Sequence, residues 1–506
     1  METGEAHYVR RLLDALHRRP GRPVLHRPEG ATTGGELAAA ILATAIGLTR
    51  AGVARGETVA VLTEPNVPAM LVTRYAAHLL GATVTHVRSM NARADGEHLS
   101  TVARLRVLRA TGARTLVVDA ANAGRGRELA AAAPALTVLA ADDLCRHRSG
   151  RLPTADWHPN DIAVVDLTSG SSGDPKLVQQ PFGARDTRIR VSAGDGSPDW
   201  PVTMLSVTPV SHATATMVDA VLIGGGAVVL RDGFALDDLV DAVVRHRVTD
   251  VYLAVPHLYQ LVDRPEAARR ALPSLRQVLY SGTFAAPTRI AQAVTLFGER
   301  LTQLYGSTEA GGMCTLTPLD HAEPELLPSV GRPFSWVDLE VREADGRTAT
   351  PRGTIGEVWV RAATTMAGYL GDPALTAQTM HDGWLRTGDL ARFDRYGYLH
   401  LVGRIGSVIK ANGLKIHPST VERVLLAHPA VADAVVYDRR DPRHGETAHA
   451  AVQLRPGVRC GAAQLRDHIA AGLSPAHVPA GFSFLDALPL TVSGKPDRVA
   501  LRAAAD

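Results

Sequence analysis

Lysine is almost missing from this chain. Four of its 54 basic residues are lysine, at Lys176, Lys410, Lys415 and Lys495, and the other 50 are arginine. Where arginine serves nearly every need for a surface cation, a lysine marks a position that wants a compact, flexible ammonium rather than a planar guanidinium. Each of the four lies in or beside a glycine-bearing segment, although codon bias with random survivors is the competing explanation. Cysteine is scarce too: Cys145, Cys314 and Cys460 stand far apart with no C-x-x-C pair, which excludes a disulfide framework and a zinc site and fits a reducing cytoplasm. No apolar run reaches the roughly 18 residues of a membrane span, and the acidic, polar residues 1–5 are wrong for a signal peptide. With a net charge of +3 and no block of like charge, the chain lacks the basic arm of a nucleic-acid binder. None of the 20 histidines falls in H-E-x-x-H spacing. A cytoplasmic protein without nucleic acid or membrane span is expected, and 506 residues exceed what one core can organise.

What is present centres on residues 167–176, Leu-Thr-Ser-Gly-Ser-Ser-Gly-Asp-Pro-Lys, after the apolar run 162–167. A strand that runs into small residues able to take positive φ, with a lysine at the far end, gathers backbone N–H groups and hydroxyls around an anion. Thr168, Ser169, Gly170, Ser171, Ser172, Gly173 and Lys176 form a candidate phosphate cradle. It differs from the G-x-x-x-x-G-K-[ST] loop, because Leu177-Val178 reads as the return strand of a hairpin rather than the start of a helix. Taken alone, such a loop is more often a flexible turn.

Up to about residue 150, helical runs such as 37–49 and 69–80 alternate with short strands such as 58–62, an α/β layer pattern. A polar linker at 146–159 leads to the loop, and strands at 204–207, 227–230, 251–255 and 277–280 then alternate with helices as a second parallel layer. Between 355 and 402 short β-rich pieces predict a small sheet or distorted barrel. The end is a compact α+β unit, with a helix over 418–427, strands at 434–437 and 448–454, and a helix over 464–473. Gly406 beside its boundary reads as a hinge or as a plain turn.

Three further segments share one theme. Gln303-Leu304-Tyr305-Gly306-Ser307-Thr308-Glu309 offers an aromatic face, a hydroxyl and a carboxylate, as an adenine, a phosphate and a Mg²⁺ would each require. Trp384-Leu385-Arg386-Thr387-Gly388-Asp389-Leu390 sets a carboxylate after a tight turn, suited to two ribose hydroxyls, and Arg404 adds a guanidinium. On these motifs, in this order and with Gly494-Lys495, the chain resembles the adenylate-forming superfamily of acyl-CoA synthetases, aryl acid ligases, adenylation domains and luciferases. The resemblance implies a large N-terminal domain of layered α/β sheets with a small β-rich subdomain, 1–403, a small mobile α+β lid, 404–506, and an active site between them. It implies that Thr168, Ser169, Ser171, Ser172 and Lys176 hold the outer phosphates of ATP. Thr308 then meets the α-phosphate and Glu309 the Mg²⁺. Ser281-Gly282-Thr283 with Tyr305 and its neighbours Gly306 and Ser307 frame the adenine, while Asp389 and Arg404 take the ribose. Lys495 is the catalytic lysine, and Lys410 is a further cofactor-binding candidate.

The family segment lining the acyl pocket is matched by Pro209-Val210-Ser211-His212-Ala213-Thr214, where His212 is a candidate for substrate contact or a packing histidine. In amino-acid activators a nearby position carries an aspartate that pairs with the substrate ammonium, which Ala213 cannot do, so an aryl or medium-length carboxylic acid is expected rather than a free amino acid. Val255-Pro256-His257 and Gly311-Gly312-Met313 are expected to supply other pocket walls. Coenzyme A is the first-choice acceptor. A separate carrier protein and nitrite activation on an amino-aryl acid in natural-product biosynthesis are alternatives, and a non-catalytic nucleotide sensor is a reading from another class. Three departures stand out: Leu177 replaces a glycine, His86-Val87-Arg88 replaces a proline-bearing turn, and Lys410-Ala411-Asn412-Gly413-Leu414-Lys415 replaces the Gly-Gly-Glu-Asn-like loop of many CoA ligases.

Overall fold

A computed structural model describes residues 7–87, 99–146, 157–168, 176–193, 201–344, 346–348, 352–411, 414–441, 445–491 and 495–504. The chain divides into two compact units, one of Met1–Tyr252, Ser307–Gly311 and Ala362–His381, the other of Leu253–Gly306, Gly312–Arg361 and Asp382–Asp506.

The first unit is built on a seven-stranded sheet. Its order is Gly368–Tyr369, Lys176–Pro181, Ile162–Thr168, Thr83–His86, Thr58–Leu62, Thr115–Val118, Thr137–Ala140. The four-residue and five-residue strands at its centre are buried along nearly their whole length, Val59, Ala60, Val61 and Leu62 among them, as parallel strands covered on both faces are. Helix Gly34–Arg50 covers part of it and starts at a capping box: the Glu36 N–H donates to Thr33 Oγ1 at 3.3 Å, and the Thr33 N–H to Glu36 Oε2 at 2.8 Å. Helix Pro68–Leu79 begins instead with proline, whose missing N–H would have had no intrahelical partner. The same unit holds a second set of strands, in which Ala227–Leu230 lies parallel to both Thr203–Ser206 and Pro23–Arg27.

Two expectations about the layers need correction. Strand Pro23–Arg27 belongs with the second set, although it lies in the first 150 residues, and the hairpin of Ile162–Thr168 with Lys176–Pro181 belongs with the first sheet. The linker at 146–159 therefore does not separate the layers. Local periodicity specifies that a segment is a strand, and the burial of its two faces in the folded chain specifies which sheet it joins.

In the second unit, Gln277–Ser281 pairs in parallel with Leu301–Ser307, and Gly311–Leu316 pairs antiparallel with Arg332–Pro333. The expected β-rich piece is an antiparallel run of Asp338–Arg342, Gly356–Arg361, Trp384–Phe393 and Leu399–Arg404. The expected C-terminal α+β element is there as well: Val431–Asp441 pairs with Gly445–Leu454, and helices Pro418–Ala427 and Ala462–Gly472 follow the order read from sequence, while strand Gly481–Phe484, parallel to Gly445–Leu454, and helix Arg498–Ala503 were not foreseen. Gly406 lies in a single 3₁₀ turn, Ile405–Ser407, with ordinary negative φ and open space where a side chain would stand, so this conformation does not itself require glycine. Among the described residues no helix is long and apolar enough to cross a membrane, and the three cysteines form no disulfide.

Candidate active site

The second unit holds Tyr305, Asp389, Arg404, Lys495 and the Ser281-Gly282-Thr283 segment. Strand Trp384–Phe393 breaks its regular course at Gly388, whose φ of +73° only glycine takes without strain. Glu357, on the neighbouring strand, fixes that break: it accepts from Arg386 Nη2 at 2.8 Å and from the Gly388 N–H at 3.2 Å. Thr387 Oγ1 donates to the Val358 carbonyl at 2.9 Å and accepts from the Asp389 N–H at 3.1 Å. Asp389 is thereby held in place, and its two oxygens are engaged separately. Tyr305 Oη donates to Oδ2 at 2.6 Å, and Arg404 Nε lies 2.7 Å from Oδ1. Burial, reinforced by the Asp389 charge, pushes the Tyr305 phenol well above its ordinary range, so the hydroxyl stays protonated and donates. Arg404 is mostly exposed, and its ion pair orients more than it stabilises.

Lys495 reaches the same unit's Ser281-Gly282-Thr283 segment. Gly282 follows strand Gln277–Ser281 with φ +106°, and a Cβ built there would lie 3.8 Å from both Cγ and Cε of Lys495. The lysine stem therefore passes within van der Waals reach of a side chain at Gly282, and it is the positive φ there that favours glycine. The backbone around Lys495 is tied down by the Thr491 N–H, which donates to the Lys495 carbonyl at 2.7 Å, and by the Lys495 N–H, which donates to Thr491 Oγ1 at 3.2 Å.

The first unit carries the expected phosphate and metal groups. Thr168 ends its strand directly opposite Lys176, which opens the return strand, so the hairpin read from the sequence is present. The intervening Ser169, Gly170, Ser171, Ser172 and Gly173 lie outside the described residues. Lys176 Nζ sits 5.3 Å from the centre of the Tyr369 ring, and Tyr369 Oη donates to Glu309 Oε1 at 3.1 Å. Tyr369 thus bridges the lysine and the carboxylate by its face and its hydroxyl. Arg188 props up the chain carrying Thr308 and Glu309, its Nη2 donating to the Thr308 carbonyl at 3.0 Å while Nε donates to Thr364 O at 2.8 Å. Burial lowers the Arg188 guanidinium to about 10. Ser307 turns its hydroxyl inward as a local cap, accepting from the Ala310 N–H at 3.1 Å.

His212 is half-buried, on the turn after strand Thr203–Ser206. That turn is clamped at Val210: its N–H donates to Asn66 Oδ1 at 2.8 Å, and its carbonyl accepts from Arg74 Nη1 at 2.6 Å. Lys410 lies in strand Ile409–Ala411 opposite Lys415, and its backbone N–H donates to Glu446 Oε2 at 2.9 Å. Glu357, Tyr369, Arg188 and Asn66 were not singled out from sequence. None of them carries a local sequence signal; in the structure Asn66 has a φ of +54°, a conformation asparagine tolerates better than most residues. Among the described residues no three His, Cys, Asp or Glu side chains cluster as a metal site. Glu309 is a lone carboxylate of the kind that completes a Mg²⁺ shell made mostly of phosphate oxygens and water.

Residues 12–370 match the family model for AMP-binding enzymes, and residues 420–495 match the AMP-binding enzyme C-terminal domain. A medium/long-chain-fatty-acid–CoA ligase of Mycobacterium tuberculosis is 30% identical over 97% of this chain and 89% of its own length. The amide bond synthetase McbA from Marinactinospora thermotolerans shares 34% identity over 99% of each chain, with a TM-score of 0.86. The o-succinylbenzoate CoA synthetase of Bacillus subtilis is similar both in complex with its acyl-adenylate (28% identity, 98% of each chain, TM-score 0.83) and with ATP and magnesium (29%, 97% of this chain and 98% of that one, TM-score 0.82). Family model, relatives and fold agree, and the chain belongs to the AMP-binding enzymes of the adenylate-forming superfamily, as an AMP-forming ligase.

Proposed function

We propose that the enzyme joins a carboxylic acid to ATP as an acyl-adenylate and then passes the acyl group to a thiol, that of coenzyme A first. In the first half, a carboxylate oxygen attacks the α-phosphorus, the bond to the bridging oxygen breaks, and pyrophosphate leaves with that electron pair. Two anions must approach each other for this, so positive charge has to sit between them. The observation that carries the reading is the seating of Lys495 on Gly282, in the same unit as the Tyr305–Asp389–Arg404 set. A lysine there serves carboxylate and phosphate oxygens together, while Asp389, oriented by two donors, accepts from the ribose hydroxyls. Lys176 and Thr168 serve the outer phosphates. Bound Mg²⁺ supplies charge compensation on the leaving side, with Glu309 as its protein ligand. In the second half a thiolate attacks the acyl carbon and AMP leaves.

An amine as acceptor is a second reading. It is favoured by the similarity to an amide bond synthetase along nearly the whole chain, and by the departure at 410–415 from the loop of many CoA ligases. There the amine nitrogen forms the acyl bond and gives up a proton as AMP leaves. Incubating the enzyme with ATP, a panel of aryl and medium-chain acids and either coenzyme A, a carrier-protein thiol or a simple amine, with mass detection of products, separates the readings. An acyl-CoA thioester is expected; amides formed at equal rate with and without coenzyme A would replace the thiol reading by the amine one.

Asp389→Ala tests the nucleoside half. It removes a charged acceptor together with the partner of a buried tyrosine, and ATP affinity is expected to fall roughly 10- to 100-fold by equilibrium binding. Unchanged affinity would remove Asp389 from the ribose site.

A further inference from the structure

Strand Thr83–His86 ends at His86, in the middle of the seven-stranded sheet. Its parallel neighbour is in register as Val84 with Val164 and Thr85 with Val165, which sets His86 beside Asp166 on the same face. Asp166 is two residues from Thr168, where the strand gives way to the serine-rich loop. Both residues therefore stand at the C-terminal ends of parallel strands, where open α/β sheets take their ligands. His212 lies close enough to act electrostatically on each of them, and Arg188 on Asp166.

His86 is only 9% exposed, and among the described residues neither ring nitrogen has a hydrogen-bond partner. Burial, with Arg74, His212 and Arg185 nearby, holds the imidazole well below its ordinary pKa, so the ring is neutral and presents one N–H and one lone pair. Burial also raises the Asp166 carboxyl. Buried polar atoms are almost always paired, and the two unsatisfied nitrogens of His86, at the C-terminal end of its strand, ask what completes them. A hydroxyl does so, since it donates to the lone pair and accepts from the N–H. A cationic substituent meets three guanidiniums, Arg74, Arg185 and Arg188, and an anionic one meets Asp166.

Resting on the adenylation reading, we infer that His86, beside Asp166 at the C-terminal end of its strand, is a specificity-determining residue that selects acids carrying a neutral hydroxyl over the same acids without it. A plain aryl or alkyl group in that place leaves the ring's donor and acceptor desolvated and unmatched, and a site built to hydrogen-bond a hydroxyl rejects the analogue lacking it. His86 stands where the sequence departs from the usual proline-bearing turn, which a specificity residue can do without disturbing the chemistry.

The test is ATP–pyrophosphate exchange with benzoic and cinnamic acids and each of their monohydroxy derivatives, for the wild type, His86→Leu and His86→Gln. At least one hydroxy isomer is expected to exceed its parent by roughly 10- to 100-fold in kcat/KM. His86→Leu is expected to bring that ratio to within about threefold of unity through loss on the hydroxylated acid. His86→Gln, which keeps a donor and an acceptor, is expected to retain part of it, and this guards against a general folding defect. Parent and hydroxylated acids exchanging equally in the wild type, as they would if a water served the ring, would overturn the inference and leave adenylation intact. A ratio that survives His86→Leu would overturn it too. If no acid supports exchange, the adenylation reading falls and takes the inference with it.

Discussion

Lys495→Ala is expected to slow adenylate formation by about 10²-fold or more while ATP binding stays within a few fold of wild type. The ammonium is worth most where charge develops, between the attacking carboxylate and the α-phosphate, and little in the resting complex, where the nucleoside is held by other groups. Those groups do not depend on the lysine. Asp389 is oriented by Tyr305 and Arg404, and its turn is fixed by Glu357 and Thr387. Truncating Lys495 leaves the bonds that orient Asp389 in place. Rate and affinity should therefore separate, which single-turnover kinetics and equilibrium ATP binding measure directly. Equal loss in both would assign Lys495 to nucleotide binding instead.

Asp219→Ala is expected to destabilise the protein by about 3–5 kcal/mol or to prevent its folding. Asp219 is fully buried and bonds at one oxygen to Arg74 Nη2 (2.8 Å) and Tyr75 Oη (2.7 Å), and at the other to Arg185 Nη2 (2.5 Å). Both guanidiniums are themselves at most 3% exposed, so removing the carboxylate leaves two desolvated cations facing each other. Asp219→Asn keeps the volume and an acceptor and should cost less. The loss has a functional side, because Arg74 also holds the Val210 carbonyl of the His212 turn: a surviving Asp219→Asn enzyme is expected to show a raised KM for the acid with ATP affinity unchanged. Thermal and denaturant unfolding give the first quantity and exchange kinetics the second. A cost under about 1 kcal/mol for Asp219→Ala would mean that the two arginines find other partners.

Much of this architecture was legible because its signals are local. Apolar strands of fixed length, Pro68 and Pro418 at helix starts, and the Gly-Asp turn at 388–389 each declare themselves within a few residues. Tyr305 and Asp389 were both singled out, but that one donates to the other across 84 positions of sequence is a property of the folded chain. The seat of Lys495 on Gly282 is likewise invisible in either segment alone. Tyr369 was missed because a Gly-Tyr pair in a two-residue strand looks like any turn, and its importance comes only from Lys176 lying over its face and Glu309 beneath its hydroxyl. Arg188 was hidden among 50 arginines, and what distinguishes it is burial and the carbonyls it holds. His86 was visible as a departure from a pattern, yet its unpaired nitrogens become meaningful only once the sheet places it beside Asp166.

The central claim is that this enzyme makes a mixed anhydride between a carboxylic acid and AMP, with Lys495 as the ammonium that makes the approach of two anions possible. Labelled pyrophosphate exchange into ATP, run with acid present and absent on wild type and Lys495→Ala side by side, tests it most directly. Acid-dependent label in ATP is expected for the wild type, reduced by about 10²-fold or more in the variant. Label that appears without acid, or at undiminished rate without the lysine, would contradict it.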